Sequence, residues 1–235
     1  MRIAFLGDSL TEGRPGESFL ARLEAMLTGD RLLNHGRAGD TIPGLLARLE
    51  AGVLGPADLA VVWIGTNDAF LGDWYLPPLV EPGERTGGDD AGAGGDDAGA
   101  GGDDAGAGGD DAGAGGRAGR ALRPLYERIL DLTLARAPLA VCVPPVLPDP
   151  FEQGGIVGRV VGIGAMTAAA AAARGPRARL YDLAPAFAAA ASEPQTRFTL
   201  DGVHLNARGA DVVAAAFREL IGTLRGPGRA TSPPP

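Results

Sequence analysis

Short apolar runs alternate with amphipathic segments along most of the chain. The run at residues 59–64 is continuously apolar, as in strands that a parallel sheet buries on both faces. Further strands are predicted at 2–7, 31–35, 138–143 and 178–183. Apolar side chains at helical spacing predict helices at 17–28, 43–54, 118–136, 156–174 and 207–225. Alternation of this kind predicts an α/β protein, with a parallel sheet and helices on both faces.

Residues 87–114 interrupt this pattern. They repeat GGDDAGA four times, with no side chain larger than Asp and no apolar group beyond Ala. Burial of so little apolar surface cannot offset the entropy of ordering the segment, which predicts a disordered, solvated insert. We therefore expect one domain over 1–225 and a disordered tail at 226–235. Calcium binding by the eight Asp is the alternative, but the spacing matches neither an EF-hand loop nor the nine-residue Gly-Asp repeat.

The repeat also accounts for the charge of the chain. There are 21 basic and 29 acidic residues, for a net charge of −8, and eight of the acidic residues lie in the repeat. The remainder is neutral, which excludes a nucleic-acid binder held by a broad cationic face. The single cysteine, Cys142, lies in an apolar run and is interpreted as a buried strand residue. Neither a disulfide nor a thiolate metal site is expected.

The hydrophobic pattern indicates neither a membrane-spanning segment nor a signal peptide. No apolar stretch approaches the ~20 residues that a membrane span needs. Residues 2–6 read as a strand, where a signal peptide would need a longer apolar segment. We expect a cytoplasmic protein without a transmembrane segment, and the sequence gives no indication of its oligomeric state.

Four polar motifs lie at the ends of predicted strands or just before the last helix. Ligand sites of parallel sheets lie beyond the carboxyl ends of the strands. Ser9, after a strand and a glycine, is placed as a nucleophile would be. Asn67, after the third strand, offers a neutral donor for a developing negative charge. The motifs are Gly7-Asp8-Ser9-Leu10, Asn34 to Asp40, Gly65-Thr66-Asn67-Asp68 and Asp201-x-x-His204.

The last motif has the composition of a general base. Asp201 precedes His204 by three residues, so its carboxylate can reach back to the imidazole Nδ1. Such a carboxylate fixes the tautomer and stabilises the imidazolium. The other histidine, His35, has no such partner nearby in the sequence and is interpreted as structural.

Each motif by itself also has an ordinary explanation. Asp-Ser after a strand is a common helix cap, and paired glycines or Asn-Asp are common in turns. A histidine beside an aspartate can be incidental. The occurrence of all four motifs in this order is what favours a catalytic site.

With these four blocks the chain resembles the SGNH hydrolases of the GDSL esterase/lipase family, named after a Ser, a Gly, an Asn and a His in separate blocks. The resemblance covers the chain apart from the repeat. It implies a three-layer α/β/α fold with a flavodoxin-like central parallel sheet of about five strands. It also implies a serine esterase that acts on small or lipid-like carboxylic esters, with no metal and no organic cofactor.

The same resemblance implies a role for each site residue. Ser9 attacks the ester carbonyl, His204 takes the proton, and Asp201 orients His204. The backbone N–H groups of Ser9 and Gly39 and the side-chain amide of Asn67 form the oxyanion hole.

The substrate pocket and the insert are less well defined by the sequence. Asp8, Leu10, Phe70 and Trp74 are expected near the pocket. The alternative for the two aromatic residues is that they cover the core. The insert follows the strand that carries Asn67, so we expect it to project near the mouth of the cleft.

Other functions remain open within and beyond this class. A non-catalytic binding module with the same fold would keep all these residues without using them. A nucleotide-binding doubly wound domain is disfavoured, because the sequence has neither a phosphate-binding G-x-x-x-x-G-K-[ST] nor a G-x-G-x-x-G after the first strand. A narrow-specificity thioesterase or sugar deacetylase is a further alternative. The expected cytoplasmic location disfavours deacetylation of an extracellular polysaccharide.

Overall fold

The structure is a computed structural model that describes residues 1–72, 116–151, 153–193 and 195–225. The expected insert at 87–114, the expected tail at 226–235 and the pocket candidate Trp74 lie outside the described residues.

Five parallel strands form the central sheet in the order β2-β1-β3-β4-β5. From β1 the chain first builds toward one edge of the sheet and then returns to build toward the other. In sheets of this order the ligand site lies where the two directions meet, beyond the carboxyl ends of β1 and β3. The predicted flavodoxin-like parallel sheet is confirmed. The strands are Arg2–Gly7 (β1), Arg31–Gly36 (β2), Leu59–Trp63 (β3), Ala140–Val143 (β4) and Ala178–Leu180 (β5).

Helices connect the strands and cover both faces of the sheet. Where both flanking elements are described, each parallel strand is followed by at least one helix, as crossover connections require. The helices are Ser9–Glu12 (α1), Phe19–Met26 (α2), Ile42–Glu50 (α3), Thr66–Leu71 (α4), Gly116–Leu134 (α5), Gly154–Ala172 (α6), Ala184–Ala190 (α7) and Ala207–Leu224 (α8).

Three of these helices were not predicted. α1 and α4 have four and six residues, too few for a helical period to show in the sequence. α7 is built almost entirely of Ala and Pro, with Phe187 as its single large buried side chain. Several predicted elements are shorter than expected, among them α3 and β5. α3 ends at Glu50 because the chain turns at Gly52, which has a left-handed φ of 84°. β5 ends at Leu180, and Asp182 then caps the turn into α7.

The sheet separates two hydrophobic cores. Along β1, Ala4 and Leu6 pack into the core beneath α3, α5 and α6, whereas Ile3 and Phe5 pack beneath α2, α7 and α8. Successive side chains of a strand point to opposite faces, so a strand covered on both sides must be apolar throughout. This arrangement confirms the predicted three-layer α/β/α fold.

Among the described residues, α6 is the one helix that is long and apolar enough to cross a membrane by length and composition, with 19 residues and a mean hydropathy of 1.5. The expectation that no apolar stretch approaches such a length was therefore wrong. The helix packs against α5, and Ile163, Met166 and Ala170 are buried in the core. Core helices of proteins that never enter a membrane meet the same criterion.

Charged groups pair at the amino-terminal ends of the strands. The amino group of Met1 and the guanidinium of Arg225, just beyond the end of α8, both bond the carboxylate of Asp30. Asp58 accepts a hydrogen bond from the backbone N–H of Arg2 at 2.7 Å. The start and the end of the described chain therefore meet at the edge opposite the strand carboxyl ends.

Phe217 on α8 is the centre of an aromatic cluster in the second core. Its ring centroid lies 5.5 Å from that of Phe5 and 5.4 Å from that of Phe19. We expect Phe217→Ala to lower the free energy of unfolding by about 3–5 kcal/mol, since it removes a fully buried ring and leaves a cavity. The measurement is urea unfolding beside Met26→Ala, which removes a side chain that is 40% exposed. Equal losses in the two variants would contradict this account of the core.

Candidate active site

Ser9 lies in a tight turn between β1 and α1. Gly7 ends the strand, and a side chain there would collide with the hydroxyl of Thr11 and the carbonyl of Trp63. The carboxylate of Asp8 caps the helix by accepting the backbone N–H of Leu10 at 3.0 Å. Ser9 is the first residue of α1, at the carboxyl end of β1.

The structure brings His204 and Asp201 together with Ser9. The Nε2 of His204 lies 3.1 Å from the Oγ of Ser9, and its Nδ1 lies 2.7 Å from the Oδ2 of Asp201. The Oδ1 of Asp201 accepts the backbone N–H groups of Val203 and His204 at 3.0 and 2.8 Å. Partial burial opposes ionisation of Asp201, but the hydrogen bonds from His204 and Val203 outweigh it and lower the pKa of this carboxyl. A carboxylate, an imidazole and a hydroxyl are thus connected in series.

The turn that carries Gly39 is bound to both β1 and α1. The backbone N–H of Arg37 donates to the carbonyl of Gly7 at 3.1 Å. The carboxylate of Glu12 accepts the backbone N–H of Ala38 at 2.6 Å. Gly39 itself is exposed and has a left-handed φ of 74°, which favours glycine. Glu12 was not predicted as a site residue, although its position one helical turn after Ser9 was a usable signal.

Asn67 reaches the same turn from the end of β3. Its side-chain Nδ2 donates to the carbonyl of Asp40 at 2.7 Å. The adjacent Asp68 is buried and accepts the backbone N–H of Ile42 with both oxygens, at 3.2 and 3.0 Å. The second and third motifs are therefore held together by hydrogen bonds between residues more than 25 positions apart in the chain.

Buried acids surround these turns. Burial raises the pKa of Asp8 to about 7, and the charges of Asp68 and Asp40 add to the shift against the hydrogen bond from Leu10. Burial likewise raises the pKa of Asp68 to about 7. Asp40 is ion-paired with Arg48 at 2.5 Å. Among the described residues, the Oδ2 of Asp8 is a buried oxygen without a hydrogen-bond partner.

His35 lies in β2, half-buried and away from the series of Ser9, His204 and Asp201. Burial lowers the pKa of His35, and the nearby charge of Arg48 lowers it further. Its Nε2 has no hydrogen-bond partner within the described part of the chain. In the same part of the chain, no three His, Cys, Asp or Glu side chains are grouped as metal ligands.

Two of the expected pocket residues lie in the interior. Asp8 is 1% exposed and Leu10 is 4% exposed, so they support the Ser9 turn from beneath and do not line the cleft as expected. The physical reason is that the unpredicted helix α1 turns Leu10 into the second core. Phe70 is half-buried and packs edge-on against Phe151, with ring centroids 5.4 Å apart.

Comparison with known proteins agrees with this architecture. Residues 5–80 match the model of the GDSL-like Lipase/Acylhydrolase family. That match includes the first three polar motifs and stops before the Asp201–His204 motif. No curated protein matches the chain.

Several solved structures share the fold. A member of the lipolytic protein G-D-S-L family from Veillonella parvula is 16% identical with a TM-score of 0.65, over 94% of this chain and 98% of that chain. Axe2, an acetylxylan esterase from Geobacillus stearothermophilus, is 19% identical with a TM-score of 0.64, over 94% of both chains. LAE5, an alpha/beta hydrolase enzyme from the metagenome of Lake Arreo, Spain, is 22% identical with a TM-score of 0.62, over 95% of both chains.

The match over residues 5–80, on this fold, supports an ester-bond hydrolase similar to the GDSL-like lipases and acylhydrolases. The resemblance stated from the sequence motifs is confirmed, and at these identities the likeness to the solved structures shows the fold alone.

The raised pKa of Asp8 predicts a pH-dependent stability. The folded protein keeps a proton on Asp8 between about pH 4 and about pH 7, where the unfolded chain has released it. The stabilisation from this group is therefore complete below about pH 4 and is lost as pH rises through about 7. We expect Asp8→Asn, which is always neutral, to gain stability relative to the wild type between about pH 5 and about pH 8. Urea unfolding at both pH values measures this gain.

The exposed Asp211→Asn serves as the control for this experiment, and its difference from the wild type should be similar at both pH values. A constant difference for Asp8→Asn as well would mean that Asp8 is ionised in the folded protein across this range.

Proposed function

We propose that this chain is a serine esterase that hydrolyses small carboxylic esters through an acyl-enzyme on Ser9. The observation that carries the proposal is the hydrogen-bonded series from Asp201 through His204 to Ser9, at 2.7 and 3.1 Å. The series lies at the carboxyl edge of the sheet, where this fold holds its ligands. The match to an ester-hydrolase family supports the same reaction class.

The first half of the reaction acylates the enzyme. The Oγ of Ser9 attacks the ester carbonyl while the Nε2 of His204 removes its proton. Asp201 accepts the Nδ1–H of His204 and stabilises the imidazolium by its negative charge. The lowered pKa of Asp201 keeps this carboxylate ionised near neutral pH.

The oxyanion of the tetrahedral intermediate needs preorganised donors. We assign this role to the backbone N–H groups of Ser9 and Gly39 and to the side-chain amide of Asn67. Glu12 supports the assignment, because it links the two backbone donors. It lies one helical turn after Ser9, and its carboxylate accepts the N–H of Ala38, the residue before Gly39. The amide of Asn67 has two N–H groups, of which the bond to Asp40 uses one.

Collapse of this intermediate completes the acylation. His204 gives its proton to the leaving alcohol, and the C–O bond of the substrate breaks to leave an acyl group on Ser9. The second half of the reaction restores the enzyme. A water molecule then gives a proton to His204 and attacks the acyl carbon, which releases the carboxylic acid and regenerates the Ser9 hydroxyl. Apart from this water, each proton transfer and bond change of the proposed reaction uses a group of the chain.

The proposed reaction does not by itself define which acyl group and which alcohol the substrate contains. We propose a short acyl chain as the first candidate, and the likeness in fold to the acetylxylan esterase from Geobacillus stearothermophilus supports including a sugar acetate in the test. Lysophospholipids and small thioesters remain candidates of the same reaction class. A binding module without activity is the alternative from another class.

The decisive experiment measures hydrolysis of p-nitrophenyl esters from acetyl to decanoyl, with an acetylated xylooligosaccharide and an acyl thioester beside them. We expect activity that falls by at least about 10³-fold in Ser9→Ala. Ser192→Ala removes an exposed hydroxyl far along the chain and should leave the rate unchanged. Activity that survives in Ser9→Ala would overturn the assignment of Ser9 as the nucleophile. A wild type without activity on any substrate would favour the binding module.

Asn67 provides a second prediction on the same substrates. We expect Asn67→Ala to lower kcat by about 10²–10³-fold with little change in KM, because the lost donor binds the transition state more strongly than the ground state. Asn67→Asp places negative charge at the same position and should be no more active than the Ala variant. Activity of Asn67→Ala close to that of the wild type would remove Asn67 from the oxyanion hole.

A further inference from the structure

Asp149 is a buried acid that the proposed reaction does not use. It follows β4 after a proline-rich segment and is 5% exposed. Its Oδ1 accepts the backbone N–H of Phe198 at 2.9 Å, and its Oδ2 accepts the backbone N–H of Thr199 at 3.0 Å. The hydroxyl of Thr199 donates to the same Oδ2. One carboxylate thus accepts three hydrogen bonds from two consecutive residues.

These two residues begin the loop that carries Asp201 and His204. The Oγ1 of Thr199 also accepts the backbone N–H of Gly202 at 3.0 Å, inside the turn between the two site residues. The backbone N–H of Leu200 donates to the carbonyl of His204 at 2.7 Å. A short path of hydrogen bonds therefore runs from Asp149 through Thr199 to Gly202, and the bond from Leu200 to His204 closes the turn around Asp201.

The far end of the loop returns to the same anchor. The backbone N–H of Asn206 donates to the carbonyl of Phe198 at 3.0 Å, and Thr199 pairs with Leu205 in an isolated antiparallel bridge. Phe151, two residues after Asp149, packs against the backbone of Gly202, where an added Cβ would approach its ring to 3.1 Å. The loop is closed upon itself and attached to the chain segment that leaves β4.

Loss of this attachment would be costly. Asp149 and Thr199 are both buried, and buried donors that lose their acceptor cannot turn to water instead. The loop that places His204 has no helix or strand of its own between Leu200 and Asn206. Its position relative to Ser9, which begins α1, must therefore be set by contacts of this kind.

We propose that Asp149 is a positioning residue that sets the distance between the imidazole of His204 and the hydroxyl of Ser9. This inference rests on the proposed function, since it assigns Asp149 to the acid–base step of that reaction. The hydrogen bonds of Asp149 described above go to Phe198 and Thr199 and not to Ser9 or His204. It acts through Thr199 and the backbone of the Asp201–His204 turn.

The first experiment compares Asp149→Asn, Thr199→Val and Thr199→Ser with the wild type on p-nitrophenyl acetate. Asn places an N–H₂ group where Oδ2 accepts two hydrogen bonds, and Val removes the hydroxyl that joins Asp149 to Gly202. We expect kcat to fall by about 10–10²-fold in these two variants, with KM within about twofold, since a small displacement of a reacting group is enough for such a loss. Thr199→Ser keeps the hydroxyl and should retain kcat within about threefold.

A double-mutant cycle separates positioning of His204 from general support of the fold. In a His204→Ala background no imidazole remains to be positioned, so adding Asp149→Asn should change the residual kcat by less than about twofold. An equal fold-loss from Asp149→Asn in both backgrounds would overturn the proposal, because a merely structural role acts whether or not His204 is present.

The Thr199 pair keeps the inference testable if Asp149→Asn does not fold. Loss in Thr199→Val with recovery in Thr199→Ser supports the proposal, and equal activity of the two overturns it. Failure of the proposed function looks different: His204→Ala would then match the wild type, which would remove the step that Asp149 is proposed to serve. In that case the inference falls together with the proposed function.

Discussion

Carboxylates that accept backbone N–H groups hold the catalytic edge of this protein together. Loops meet at the carboxyl ends of the parallel strands, and several of the hydrogen bonds between them end on side-chain carboxylates. A carboxylate has two oxygens and can accept several N–H groups at once, so a single Asp can join two loops or close one. Asp68 does this between β3 and the start of α3, and Asp149 does it between β4 and the loop of His204.

Burying an ionised carboxylate costs free energy, and the acids of this site differ in how far they are buried. Asp201 is partly exposed and richly bonded, and its pKa is lowered, whereas Asp8 and Asp68 are buried with pKa values near 7. Asp40 lies among them and is compensated by the guanidinium of Arg48. The edge therefore contains one acid suited to remain charged and two that are suited to hold a proton. The difference arises from burial and from the number of donors, because all three are the same residue type.

The sequence predicted the parts of this structure that rest on local pattern. β1 was predicted because its residues form a short apolar run, and α8 because a helical period repeats over its 18 residues. α1 and α4 were not, because four and six residues cannot display a period. That omission also misplaced Leu10, which was expected in the cleft and lies in the core.

The residues of the candidate site also differ in whether the sequence could predict them. Ser9, Asn67, Asp201 and His204 were singled out because each belongs to a short motif. Asp149 was not, because its partners lie 49 and 50 residues away in the chain and nothing nearby in the sequence points to them. Glu12 is an intermediate case, close to Ser9 but bonded to a residue 26 positions later.

The meeting of Met1 and Arg225 at Asp30 bears on how the molecule can be handled. Both lie at the edge of the sheet where the strands begin, and the reacting groups lie at the opposite edge. A bead, a surface or a fused carrier attached beside either residue would therefore stand a full strand length from the cleft. Attachment at that end of the strands leaves the cleft open to the solution.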